Sequence, residues 1–208
     1  MKSTILTTPR DDKQQAVLEA ATSVFLAHGF SAATTDMIQR EAKVSKKTMY
    51  ACFPSKESLF IAVIERECAV LTKSFKAIHV NGDIAKTLTD LGTSYLQLIL
   101  SPTATALYRV VIAEAPRFPE LGRRFYMAGP KVIYEKLAEY LSEATKNREI
   151  NIQAIGAPSA SALFMNMVRG EAQLEYLTHP QTKPSAVQID QWVKLAVETF
   201  LSAFEVKS

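Results

Sequence analysis

The chain has 208 residues, of which 48% are apolar and 22% are charged, which is the composition of a soluble globular protein with one or two domains. Its net charge of +3 excludes a general polyanion binder, so any basic surface must be local. The first residues lack the apolar run of a signal peptide and no window approaches the roughly 18 apolar residues of a membrane span, so we expect a cytoplasmic protein with no membrane partner.

The first predicted helix runs from about Asp12 to His28. Its inner face carries apolar residues at helical spacing, and Gly29 is a natural stop. The inner-face residues are Val17, Ala20, Ala21, Val24 and Phe25.

Residues 34–53 predict two short helices joined by a tight turn. Thr34 and Thr35 are candidate caps of the first of these helices, and Ser45 is a candidate cap of the second. Cap, short helix, turn, cap and short helix is the layout of a helix-turn-helix, whose second helix lies in the DNA major groove. We expect Ile38, Val44, Met49 and Phe53 to form its core.

Positive charge concentrates in this segment. Between Arg40 and Lys56 there are five Lys or Arg residues, and Glu41 is the only acid. Since DNA affinity comes largely from neutralising phosphates, this surplus favours nucleic-acid binding. From the residues alone, an ordinary helical protein with a solvated lysine face remains the alternative.

The segment also resembles the TetR family of bacterial transcription regulators, whose pattern is close to T-T-x-x-I-x-x-x-A-G-V-S-x-x-x-x-Y-x-x-F-x-x-K-E-x-L. Lys43 departs from this pattern, because the family usually has Gly there, where a turn needs a positive φ. The matching residues are Thr34, Thr35, Ile38, Ala42, Val44, Ser45, Tyr50, Phe53, Lys56, Glu57 and Leu59.

The rest of the chain continues as helices. Pro54 ends the third helix, and Ser55 caps a long fourth one. Helical spacing follows throughout, with a break near Gly129-Pro130, and no strand pattern appears after Asn81. We therefore predict an all-α fold of about nine helices.

The resemblance implies how these helices divide. A three-helix DNA-binding domain over residues 10–60 would be joined through helix 4 to a larger helical ligand-binding and dimerisation domain over residues 61–208. The segment AEAPRFPELGRRFYMAGP (residues 113–130) further resembles the subgroup whose C-terminal halves are called AefR-like.

Physical chemistry and the resemblance together suggest DNA-binding roles. At the start of the third helix, Lys46, Lys47 and Thr48 are candidates for base edges, because Lys can donate to guanine and a Thr methyl can meet a thymine methyl. Candidates for phosphate contacts are Thr35, Tyr50 and Lys56, and Lys43 could add another.

The resemblance also implies a small effector and a homodimer. Aromatic residues that could line a hydrophobic effector pocket are Tyr95, Tyr108, Phe125 and Tyr126, with core packing as the alternative for each. For the dimer, we expect contact through the last two helices, with packing inside one subunit as the alternative. The predicted contact residues are Ile189, Trp192, Val193, Ala196, Phe200 and Phe204, with Ala160, Ser161, Ala162, Met165 and Gly170 on the preceding helix.

Signatures of enzymes and metal sites are missing from the sequence. It has no P-loop, no G-x-S-x-G elbow and no His or Cys spacing that suits a metal, so we expect no catalytic residue, no metal and no cofactor. The leading hypothesis is a repressor that binds a palindromic operator and is released by a small hydrophobic effector. The alternative is a helical ligand-binding or protein-interaction module whose DNA-binding domain has lost function.

Overall fold

The computed structural model describes residues 9–76, 82–179 and 181–206, and every regular element in these ranges is an α-helix. The ten helices are α1 (Pro9–Ala32), α2 (Thr35–Ala42), α3 (Lys46–Cys52), α4 (Lys56–Lys76), α5 (Ile84–Ile99), α6 (Pro102–Glu114), α7 (Pro119–Ala128), α8 (Pro130–Lys146), α9 (Gly156–Thr178) and α10 (Ala186–Phe204). The all-α prediction is confirmed.

Two predicted helix boundaries have clear backbone causes. Gly29 adopts φ 78° and ψ 167°, so α1 is broken there and only a short turn follows. At the break near Gly129-Pro130, α7 ends at Ala128 and α8 begins at Pro130, which occupies the first helical position and has no N–H to lose. This break is complete, which is why the described residues hold ten helices.

The helices group into two compact units. The first contains residues up to Glu67 together with Ala106–Phe125, and the second contains Cys68–Thr105 together with the chain from Tyr126 onward. The first unit therefore combines α1–α3 and the first half of α4 with most of α6 and α7. The predicted domain boundary between residues 60 and 61 stays a prediction.

An aromatic cluster forms the centre of the first unit. The ring centroids of Phe25 and Phe60 lie 4.7 Å apart, and Phe30 stacks on Phe60 at 5.2 Å. Phe118, just before α7, meets the ring of Phe30 edge-on at 4.9 Å. Such pairs contribute roughly 0.5–1.5 kcal/mol each beyond the apolar area that they bury. The cluster thus ties α1 to α4 and to the segment between α6 and α7.

Polar contacts reinforce the same packing. The amide and hydroxyl of Ser31 donate to the two carboxylate oxygens of the buried Glu114, at 2.8 and 2.6 Å. Arg117 Nη1 donates to the Ser31 hydroxyl at 3.3 Å. These bonds join the end of α1 to the end of α6, and a charged acceptor makes them stronger than neutral hydrogen bonds.

Lys56 joins the two ends of the helix-turn-helix segment. Its Nζ donates to the carbonyls of Phe30 and Ala33 at 2.9 and 3.0 Å, and lies 4.5 Å from the centroid of the Phe30 ring. A third carbonyl, that of Ser31, is 3.5 Å away. The ammonium thus satisfies the free carbonyls where α1 ends, from the first turn of α4.

The second unit is built around α5, α8, α9 and α10. In α5, Gly92 allows a close approach of α10, because a Cβ there would lie 3.0 Å from Cγ1 of Val193. On α9, the buried Ser161 hydroxyl donates to the carbonyl of Tyr134 at 2.7 Å. The apolar core includes Leu88, Leu96, Leu137, Leu141, Phe164, Met165 and Phe200.

The predicted dimer stripe is wrong in its detail. Four of its residues, Ile189, Val193, Ala196 and Phe200, are buried in the core of their own unit, as are Ala160, Ser161 and Met165 of α9. Trp192 packs edge-on against Tyr176, with centroids 6.4 Å apart, and Phe204 packs against Phe200 at 4.8 Å. Helical periodicity identified an apolar face correctly but assigned it to the wrong partner.

No single helix within the described residues is long and apolar enough to cross a membrane, although α5 and α6 pass that test of length and composition when taken together as a bent pair.

The Lys56 contacts predict a stability effect. Replacing Lys56 by Met keeps the aliphatic stem but leaves two carbonyls without their donor, so we expect a loss of about 1–3 kcal/mol in the free energy of unfolding. Urea denaturation measures this loss. Lys47→Met is the matched control, because Lys47 is exposed and should change stability by less than about 0.5 kcal/mol. Equal effects of the two substitutions would contradict the structural role of Lys56.

Candidate nucleic-acid interface

Two of the three predicted caps of the helix-turn-helix form. Thr34 Oγ1 accepts from the amide of Met37 at 3.2 Å, which caps α2. Ser45 Oγ accepts from the amide of Thr48 at 3.1 Å, which caps α3, and the two hydroxyls lie 2.9 Å apart. Thr35 is the first residue of α2 and not a cap. Each cap contributes about 1 kcal/mol and fixes where its helix begins.

The turn between α2 and α3 closes on Lys43 in the left-handed region, with φ 53° and ψ 40°. Its amide donates to the carbonyl of Arg40 at 3.3 Å, and the next amide, that of Val44, donates to Gln39 at 3.2 Å. This pair of bonds is a Schellman motif, which usually carries Gly at the position of Lys43. The prediction that this position needs a positive φ is confirmed.

The inner faces of α2 and α3 hold the motif against α1. Ile38, Met49 and Phe53 are buried as predicted, and Val44 is half-buried. The outer residues of α3 are therefore presented on a fixed backbone, which is what reading base edges requires.

The start of α3 carries unneutralised positive charge. Lys46 and Lys47 are both exposed in its first turn, and α3 has no acidic residue in that turn. Cations at a helix N-terminus oppose the helix dipole and cost roughly 0.3–1 kcal/mol each, whereas a phosphate placed there would be stabilised by both the dipole and the lysines. The arrangement is thus unfavourable for a solvated surface and favourable for binding an anion.

The other predicted contacts differ in their surroundings. Tyr50 is 39% exposed on α3, and Thr35 and Thr48 are half-buried. Because the Thr48 hydroxyl is engaged with Ser45, its methyl group is the part left for a base. Lys56 differs from these residues, because its ammonium donates to the carbonyls of Phe30 and Ala33. A phosphate contact by Lys56 stays a prediction, to be separated from its structural role.

A shallow groove of about 390 Å³ lies on α2 and the turn, and the sequence reasoning did not find it. The side-chain Nε2 of Gln39 is buried there without a hydrogen-bond partner within the described residues. Spacing of four residues from Thr35 to Gln39 and on to Lys43 was the available signal. The lining residues are Asp36, Gln39, Arg40, Lys43 and Val44.

The four predicted effector-binding aromatics do not form one cluster in the described contacts. Tyr108 and Phe125 meet edge-on with centroids 5.9 Å apart, within the first unit. Tyr95 is buried in the core of the second unit, whereas Tyr126 is half exposed. Arg66 on α4 was not singled out from the sequence, yet its Nη1 is buried and has no hydrogen-bond partner within the described residues.

Metal binding finds no support in the described part of the chain, which holds no group of three or more His, Cys, Asp or Glu residues suited to an ion. Cys52 is half-buried and Cys68 is buried, and neither forms a disulfide bond within the described residues.

Comparison with known proteins identifies both halves of the chain. The profile of bacterial regulatory proteins of the tetR family matches residues 17–63. The profile of the AefR-like transcriptional repressor C-terminal domain matches residues 86–206, which is more than half of the chain.

Solved structures agree over the whole length. The flavonoid-responsive regulator FrrA is 33% identical, and the match covers 94% of this chain and 98% of FrrA with a TM-score of 0.82. A TetR-family regulator from Mesorhizobium loti MAFF303099 shares the fold with a TM-score of 0.88 at 22% identity, and the match covers 96% of this chain and 100% of that one.

Curated relatives match over a shorter segment. The transcriptional activator FasR of Mycolicibacterium smegmatis is 43% identical over 58 residues, which are 28% of this chain and 26% of FasR. The chain thus spans about a quarter of the length of this relative. The full-length similarity to FrrA and the two matching profiles are decisive: the chain belongs to the TetR family of DNA-binding transcription regulators, with an AefR-like C-terminal domain.

Proposed function

We propose that the protein is a homodimeric repressor that binds a palindromic operator through α3 and is released by a small hydrophobic effector. The observation that carries the DNA-binding part is the exposed Lys46–Lys47 pair at the start of α3, behind a turn fixed by two caps and a Schellman motif. Repression is supported by the AefR-like repressor profile. FasR, which is 43% identical over 58 residues, is an activator, so the choice between repression and activation is part of the proposal.

In this proposal the outer face of α3 reads the operator. Lys46, Lys47 and the Thr48 methyl contact base edges in the major groove, while Thr35 and Tyr50 contact phosphates with their hydroxyls. One α3 helix covers about half of a typical site, so two copies are needed for a palindrome. Operator binding would take place in the cytoplasm, with no membrane involved.

The faces of α9 and α10 that lie away from the core are the proposed dimer contact. Leu174 on α9 and Leu195 on α10 are 65% and 66% exposed, and Leu163 and Val187 are exposed on the same two helices. These side chains replace the buried stripe as the candidates for the interface. Two helices from each subunit would form a four-helix bundle across a two-fold axis.

Coupling between effector and DNA has a concrete route inside the first unit. Glu114 at the end of α6 accepts both bonds from Ser31, at the end of α1, and Phe118 packs on Phe30. A shift of α6 or α4 on effector binding would move the end of α1 and with it the helix-turn-helix. Such coupling is typically worth about 1–3 kcal/mol.

The effector is proposed to be a hydroxylated aromatic molecule. FrrA is described as flavonoid-responsive, and this chain is 33% identical to it over nearly the full length. Within the first unit, the Tyr108–Phe125 pair offers aromatic surface. The roles of Tyr95 and Tyr126, which belong to the second unit, stay predictions. The unpartnered Nη1 of Arg66 would donate to a phenolic oxygen, because a buried guanidinium N–H without an acceptor is costly. No metal or other cofactor takes part.

The alternative, a module with a non-functional DNA-binding domain, depended on the residue at the turn. Lys43 adopts the conformation that Gly would adopt and both turn bonds form. No other observation favours this alternative.

A gel-shift with the DNA that flanks its own gene, over a range of salt concentrations, tests the proposal: a discrete complex that weakens steeply with salt supports it, and absence of any complex contradicts it.

Base reading predicts a change in specificity. Lys47→Ala and Thr48→Ala should each lower the discrimination between operator and unrelated DNA, by about 1–3 kcal/mol per lost contact. Competition binding with the two DNAs measures the ratio. Lys73→Ala on α4 is the control, since Lys73 is an exposed lysine outside the motif. If both α3 variants keep the full ratio, α3 has been assigned the wrong role.

If the outer faces of α9 and α10 form the dimer interface, a charge placed on either face should produce a monomer. Leu195→Glu and Leu174→Glu should each convert the dimer to a monomer at micromolar concentration, because the like charges would meet across the two-fold axis. Sedimentation velocity measures the state. Ile112→Glu is the control, as Ile112 is 57% exposed on α6. A wild-type monomer, or dimeric Leu195 and Leu174 variants, would contradict the proposed interface.

The effector hypothesis predicts a pattern of thermal stabilisation. Hydroxylated aromatic compounds should raise the melting temperature, by an amount that corresponds to about 2.7 kcal/mol at a hundred times Kd. Arg66→Met should reduce this shift for phenols more than for analogues that lack the hydroxyl. A screen in which only metal ions or nucleotide phosphates stabilise the protein would overturn this effector class.

A further inference from the structure

Two residues of the groove on α2 lie in line with a proposed DNA contact. Thr35 is a proposed phosphate contact in the first turn of α2, Gln39 follows one turn later, and Lys43 follows at the end of the helix. Gln39 and Lys43 line the groove. Residues four apart share one side of a helix, so the groove lies on the side of α2 that carries Thr35.

The chemistry of the groove suits an anion. Arg40 and Lys43 are exposed, and neither forms an ion pair within the described residues. Asp36 also lines the groove, so the lining carries two positive charges and one negative charge. The Nε2 of Gln39 has no hydrogen-bond partner within the described residues but is shielded from solvent, so the two cations are the groups that an anion meets first. Two exposed cations on one concave surface suit phosphodiester oxygens.

The backbone conformation of Lys43 also supports a role in anion binding. A side chain other than Gly in the left-handed region costs free energy, and the turn itself needs no side chain at this position. Backbone strain of this kind is often retained where the side chain has a function. A cation next to the start of α3 is such a function.

We propose that the groove of Gln39, Arg40 and Lys43 binds a phosphate of the DNA backbone beside the bases that α3 reads. This inference rests on the proposed operator binding. The ligand is a phosphodiester, and the contact adds affinity for every sequence alike without adding sequence preference.

The test uses two substitutions at equivalent backbone positions. Arg148 follows α8 with φ 60° and closes a second Schellman motif, in which its amide donates to Thr145 at 3.1 Å and that of Glu149 donates to Ala144 at 2.9 Å. Lys43→Gly and Arg148→Gly each remove one exposed cation and one strained conformation. The comparison isolates position, because Lys43 lines the groove whereas Arg148 lies after α8.

The measurement is fluorescence anisotropy of the full-length protein with a labelled mixed-sequence duplex of roughly 30 base pairs, long enough for two half-sites. Lys43→Gly should lower the slope of log K against log salt by about 1.8, which is about 0.9 for each of the two subunits, so that a roughly fourfold rise in salt costs it about 12-fold less affinity than it costs the wild type. Arg148→Gly should keep the wild-type slope. Neither variant should melt at a lower temperature than the wild type, because Gly relieves the strain.

Each outcome decides a different question. If the wild type binds and Lys43→Gly keeps the full slope, the groove does not bind a phosphate, while operator binding stands. If Arg148→Gly lowers the slope as much as Lys43→Gly, the effect is one of net charge and the groove is again excluded. Failure of the wild type to bind the duplex at low salt overturns the operator proposal and this inference with it. If Lys43→Gly melts at a lower temperature than the wild type, Arg40→Gln is measured in its place. It should lower the salt slope by the same amount.

Discussion

The helix-turn-helix is held at its base by one ammonium group. Lys56 Nζ bonds the carbonyls of Phe30 and Ala33 and lies over the Phe30 ring, so the chain that leaves α1 is joined to the first turn of α4. Residues 34–53, which form α2, the turn and α3, lie between these two points. The orientation of α3 therefore depends on a contact that lies outside the motif itself.

The same end of α1 is where other elements of the first unit meet. Ser31 bonds Glu114 of α6, and Phe30 packs on Phe118. Elsewhere in the unit, Glu65 of α4 pairs with Arg124 of α7 at 3.4 Å. Within α7, hydrogen bonds from Arg124 and Arg123 lower the pKa of Glu120, but all three side chains are exposed, so these ion pairs add little stability. Lys56 and Glu114 thus act on consecutive residues of one chain segment. This proximity is the physical basis for the proposed coupling between effector and operator.

Local chemistry made the helix boundaries predictable. Thr34 and Ser45 act as caps, Gly29 breaks α1, and Lys43 takes the left-handed conformation expected where relatives have Gly. Tertiary partners were not predictable in the same way. The apolar face of α10 reads identically whether it covers its own core or a second subunit, and only burial of Val193 and Phe200 decides for the former. The Ser31–Glu114 bonds join residues 83 apart, which no local pattern encodes.

The groove on α2 and the contacts of Lys56 show which features of the candidate site the sequence cannot predict. Sequence assigned Lys56 to phosphate because of its position in the motif, but its three nearest acceptors are backbone carbonyls that a pattern cannot locate. Gln39 and Arg40 do not belong to the residues that match the family pattern, so the sequence predicts no individual contact for them. Their importance follows from an unpaired amide nitrogen and a concave surface, both of which are properties of the folded chain.

In the proposed mechanism, α2, the turn and α3 form the DNA-binding surface. Amide hydrogen exchange of the protein with and without a bound duplex, read by mass spectrometry, measures this directly. We expect that within residues 9–76 DNA slows exchange in peptides covering 34–50, and leaves the part of α1 that packs on Phe60 unchanged. Protection centred elsewhere in these residues, or none at all under conditions where the duplex is bound, would contradict it.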